Sequence, residues 1–123
     1  MIRWFESRPK ISWTLIILIA IGIFYISSLT FPAGVSASNF KPIVYHISAF
    51  FLLSLFLAIA LTKGEKNYFI ILAVAIAIIY AFTDELHQSL VPGRSSSFSD
   101  IMLDNVGITF SLLIYLISLE LRK

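Results

Sequence analysis

The sequence predicts an all-α integral membrane protein, a bundle of four antiparallel transmembrane helices, and two observations carry that expectation. One is the quantity of apolar residue. Hydrophobic side chains occupy 59% of the 123 positions, and mean hydropathy is +0.92, where soluble domains are about 45–50% apolar. A soluble chain this short has too little interior to hide so much apolar surface, whereas a bilayer accepts it. The other observation is its distribution, in four continuous apolar runs separated by polar, turn-rich segments. Continuous runs, as opposed to alternating ones, favour spanning helices over barrel strands. The length suits one domain covering residues 1–123.

The first run, Ile11 to Leu29, carries no charge. Its apolar core is longer than the roughly 7–15 residues of a signal-peptide core. It therefore reads as a retained span, although Val35-Ser36-Ala37 has the form of a cleavage site. Thr30 to Lys41 contains Pro32, Gly34 and two serines, and Pro42 suits a first helical turn. The second run, Ile43 to Thr62, has His46 near its start. Lys63-Gly64-Glu65-Lys66-Asn67 then makes a tight polar turn, which predicts antiparallel neighbours on either side of it. The third run, Tyr68 to Phe82, is short of the about 17–25 residues that cross a ~30 Å hydrocarbon layer. It reaches that length if the helix continues through Thr83-Asp84-Glu85 to Gln88, giving a span over residues 67–88. Val91 to Ser99 is turn-rich, and Ser97 stands three residues before Asp100 in capping-box spacing. The fourth span covers residues 100–119, with Asp104 one turn inside it.

Charge narrows the function classes. The net charge is +2, and no block of basic residues interleaves with aromatics, so a nucleic-acid partner is not expected. With no cysteine, disulfides and thiolate metal sites are excluded. Arg3, Arg8, Lys10, Lys63, Lys66, Arg122 and Lys123 fall on one side of the four-span layout, and only Lys41 and Arg94 on the other. The positive-inside rule then predicts a multi-pass plasma-membrane protein with both termini cytoplasmic.

Four of the seven acids, Asp84, Glu85, Asp100 and Asp104, gather around the loop predicted to face outward. At ~100° per residue, Asp84, His87 and Gln88 share one arc of the third span. Asp100, Asp104, Gly107, Ser111 and Ser118 form a narrow stripe on the fourth, and Ala73, Ala77 and Ala81 give the third a close-packing face. Such stripes should face protein, because a carboxylate in lipid is costly and small residues let helices approach. His46 lies one turn from the same end.

This order of residues resembles the VanZ-like family, whose pattern is a histidine early in a transmembrane helix, then D-E-x-x-Q, an arginine, D-x-x-x-[DN] and a glycine. Here these are His46, Asp84-Glu85-Leu86-His87-Gln88, Arg94, Asp100, Asp104 and Gly107, so the resemblance runs from about Lys41 to Ser111. Ser111 replaces a second small residue that is often glycine, and His87 is additional to the pattern. The resemblance implies a cell-envelope protein associated with glycopeptide (teicoplanin) resistance, without a settled biochemical activity.

The residues leave three readings open. The first is a polar site for an anionic, lipid-linked or cell-wall ligand, with Gln88, Arg94, Asp100 and Asp104 as binding residues. The second is a membrane enzyme using His46, Asp84 and Glu85 as acid/base groups. The third is a non-catalytic scaffold or accessory subunit whose polar core is structural. In the structural version, Arg94 neutralises Asp84 or Asp100. A Zn²⁺ site from His46, Asp84, His87 and Asp100 has suitable donors but no HxxxH or HExxH spacing, so neither metal nor cofactor is expected. A transporter is disfavoured by the absence of a repeat or a broken span.

Overall fold

Long runs of Ile, Leu, Ala and Phe without interior proline propagate as helix, because in an apolar solvent each backbone N–H and C=O must be bonded within its own segment. The computed structural model describes residues 1–30, 40–94 and 96–122, with residues 40–42 described by backbone alone. Every regular element among these is a helix. A short α1, Ile2–Glu6, precedes α2 (Pro9–Ser27), α3 (Phe40–Thr62), α4 (Phe69–Leu90) and α5 (Phe98–Glu120). The last four are long and apolar enough to cross a membrane.

The bounds follow local chemistry. Pro9 opens α2 at its first turn, where its missing N–H is no loss. The connection containing Val35-Ser36-Ala37 lies outside the described residues. Lys63 and Gly64 both take positive φ, 53° and 87°, in the turn between α3 and α4. The acids Asp84 and Glu85 do continue α4, which runs on to Leu90. At the start of α5, the Ser97 hydroxyl accepts from the Asp100 N–H at 3.3 Å, so half of the expected capping box forms. The other half is replaced: the Ser97 N–H donates to Glu85 Oε2 on α4, also at 3.3 Å. α1 was not anticipated from composition. It is tied down by Ser12, whose hydroxyl donates to the Phe5 carbonyl at 3.0 Å.

α3 is the central helix, with 50% of its apolar window buried against 22–28% for the other three. Its most extensive partner is α5. Gly107 makes that approach possible, because a Cβ there would stand 2.3 Å from the Ile47 carbonyl oxygen and 2.9 Å from the Phe51 nitrogen. Ala73, Ala77 and Ala81 form the buried face of α4. Ile17, Leu18, Ile21, Ile79, Phe110 and Ile117 stay exposed, as lipid-facing residues would.

Contacts fix the helix directions. His46 meets Asp104 and Ser54 meets Ser111, so α3 and α5 run the same way. The Tyr80 hydroxyl donates to the Ala20 carbonyl, and Gln88 meets Ser27, so α2 and α4 also share a direction. One end of the molecule gathers Glu6, Thr62, Gly64, Tyr115 and Arg122. The opposite end gathers Ser27, His46, Gln88, Arg94 and Asp104.

Candidate functional site

Three helices bring their polar residues to that second end. From α3 comes His46, 3% exposed. α4 supplies Asp84, Glu85 and Gln88, all buried, in its last two turns. α5 supplies Asp104, fully buried, and Asp100 nearer the surface. Intramembrane acids are by default functional candidates, since an unpartnered carboxylate is expensive there.

The cluster has two halves. In the first, His46 Nδ1 lies 2.8 Å from Asp104 Oδ1, and His46 Nε2 lies 4.0 Å from Asp100 Oδ1. Donor atoms of His46, Glu85 and Asp104 all fall within 4.8 Å of one another. The Tyr45 and His46 rings meet in a T-shaped arrangement, with centroids 5.4 Å apart. In the second half, Gln88 Nε2 donates to Asp84 Oδ2 at 2.8 Å and to the Ser27 hydroxyl at 3.3 Å. Arg94 Nη2 donates to Gln88 Oε1 at 3.3 Å, and Arg94 Nη1 to the carbonyls of Ile26 and Leu29 at 2.8 and 3.3 Å.

The division comes from α4 itself. Adjacent helical residues point ~100° apart, so Asp84 turns toward α2 while Glu85 turns toward α5. The two open onto different clefts, one lined by Phe24, Tyr80, Thr83, Asp84 and His87, the other by Glu85, Ser96, Ser97, Phe98 and Ile101 among others. The donors of Arg94 described here go to Gln88 and to the end of α2, where a cation suits the exposed carbonyls. His87 does not join His46 as a metal-binding partner. It stacks on Phe24 at 4.5 Å and meets the Ser28 hydroxyl at 2.9 Å. The histidine grouping among the described residues is therefore His46 with Glu85 and Asp104, in place of His46 with Asp84, His87 and Asp100.

Ser27 was missed. It is fully buried and accepts the second Gln88 hydrogen bond. A signal existed, since Ser12, Ile16, Ile23 and Ser27 recur at helical spacing along one buried face of α2.

Chemically, the arrangement offers a histidine oriented by a buried carboxylate, further acids beside it, and an amide held between a carboxylate and a guanidinium. A family model described as VanZ/LLP1 matches residues 5–119, a span that includes every residue of this cluster. Neither a curated protein nor a solved structure matches the chain. By the extent of the family match, the chain belongs to the VanZ/LLP1 family.

Proposed function

We propose that this chain is a plasma-membrane protein of the cell envelope that protects against glycopeptides of the teicoplanin type, through a polar site open to the outer face. The reading takes the resistance association from the family and the outer face from the basic residues, seven on one side and two on the other. Both termini are then cytoplasmic. The ligand class is a polar, anionic, lipid-linked or cell-wall group that reaches the loop between α4 and α5.

The observation that carries the reading is the buried His46–Asp104 pair beside Glu85. Apolar helices with no polar task would fill that end with leucine more cheaply. A membrane-enzyme reading draws on the same pair, because a histidine held through Nδ1 by a carboxylate has a fixed ring and one nitrogen left for proton transfer.

The test is expression in a teicoplanin-susceptible bacterial host, with membrane abundance measured beside the inhibitory concentration. Wild-type chain should raise that concentration. His46→Ala and Asp84→Asn should lose the gain while remaining in the membrane. Unchanged susceptibility with abundant wild-type protein would remove the resistance reading. Full protection by both variants would remove the site from it.

A further inference from the structure

Asp84, Glu85, Asp100 and Asp104 crowd one end of the bundle. Ionised carboxylates grouped in apolar surroundings repel one another and have lost their water. An anionic ligand brought to such a cluster meets the same repulsion.

Three features point to what balances it. Donor atoms of His46, Glu85 and Asp104 converge within 4.8 Å of one another, each from a buried side chain on a different helix. Glu85 Oε1 and Asp104 Oδ2 are buried and have no hydrogen-bond partner among the described residues, on side chains only 4% and 0% exposed. Buried polar oxygens are nearly always bonded to something, so two orphans in one group of donors mark a ligand position. Finally, His46 Nε2 stands 4.0 Å from Asp100 Oδ1. That gap is too long for a hydrogen bond, so the second ring nitrogen faces the acids without closing on Asp100.

We infer that His46, Glu85 and Asp104 hold one divalent transition-metal cation, with Asp100 at the open side of the same group. One imidazole nitrogen with carboxylate oxygens suits Zn²⁺ or Mn²⁺, whereas Mg²⁺ and Ca²⁺ favour all-oxygen sites. Spacing along the chain does not announce the site, because its donors come from three helices. The cation also offers an oxyanion the positive charge that the acids deny it. That last step rests on the function proposed above, whereas the binding of the metal does not.

The experiment uses the full chain, tag-free in detergent, stripped with a chelator and desalted. Zn²⁺, Mn²⁺ and Mg²⁺ are titrated separately, followed by metal analysis and thermal unfolding. The expected result is one equivalent of Zn²⁺ or Mn²⁺ per chain, with a rise in unfolding temperature that chelator reverses and Mg²⁺ does not reproduce. Glu85→Gln should weaken binding about tenfold or more. Glu65→Gln, an exposed acid in the turn at the other end, should bind as wild type does. A wild-type chain that takes up no stoichiometric metal and shows no chelator-reversible shift overturns the inference, as does Glu85→Gln binding with wild-type affinity. If Glu85→Gln does not fold, wild-type stoichiometry and the chelator response decide alone. Metal binding without teicoplanin protection would remove the proposed function and leave the metal site standing. Protection that depends on His46 without metal binding would do the reverse.

Discussion

At His46 the hydrogen bond to Asp104 joins α3 to α5 inside apolar surroundings, so neither partner has water to fall back on. Replacing Asp104 with Ala leaves the imidazole buried and unpaired, and stability should fall by about 1–3 kcal/mol. Denaturant unfolding in micelles measures the loss. The double variant His46→Ala/Asp104→Ala should lose clearly less than the sum of the two single changes, because both remove one interaction; strict additivity would mean that the pair is not coupled. Arg94 belongs to the same scale. With its described donors on Gln88 and the carbonyls of Ile26 and Leu29, Arg94→Ala should lower the unfolding temperature. Lys, a single point charge without the guanidinium fork, should recover only part of the loss. Equal stability of Arg94→Ala and wild type would deny the bracing role. These two residues also mark where the sequence was readable. His46 and the acids stood out because charge and imidazole are rare in apolar runs. The destination of Arg94 did not, because backbone carbonyls carry no residue-type signal. Ser27 was hidden for another reason, since a serine in a membrane span attracts no notice until its burial is known.

Among the elements, α3 and α5 depend on one missing side chain. A methyl group at Gly107 would overlap the Ile47 carbonyl oxygen at 2.3 Å, against backbone that cannot rotate away. Gly107→Ala should therefore push the helices apart and cost about 1–3 kcal/mol, the usual range for overpacking. Because Ile47 adjoins His46 and Gly107 lies one turn after Asp104, the change should also loosen the His46–Asp104 bond. The accompanying check is the His46 ring resonance in micelles, which should shift in Gly107→Ala; wild-type stability together with an unmoved resonance would show that the approach is looser than described. The small-residue stripe on the fourth span pointed to this face, and Gly107 and Ser111 are buried as it required. Asp84 and Glu85 extending α4 was likewise readable, from length alone. Which neighbour each acid turns to was not, since that depends on how α4 is rotated against α2 and α5.

For the whole molecule, the decisive question is which end faces out. The structure separates the ends: Ser96 is exposed beside the polar cluster, and Glu65 is exposed at the other extreme. With no native cysteine to remove, Ser96→Cys should react with an impermeant thiol reagent in intact cells, and Glu65→Cys only after the membrane is opened. The reverse pattern would turn the cluster toward the cytoplasm and end the cell-wall reading. The far end has a consequence of its own. Glu6 accepts from Arg122 Nη1 at 2.6 Å and from the Tyr115 hydroxyl at 3.1 Å, while its carboxylate rests against Gly64 in the turn between α3 and α4. Residues 6 and 122 are thus held side by side, next to the turn where the chain is most simply cut. A circular permutant, opened between Lys63 and Asn67 and joined across a short linker from 122 to 6, would send every helix through the bilayer in its original direction. Its order would be α4, α5, α2, α3, the join at residue 6 leaving α1 out. The first helix to insert would then be one that carries two of the buried acids.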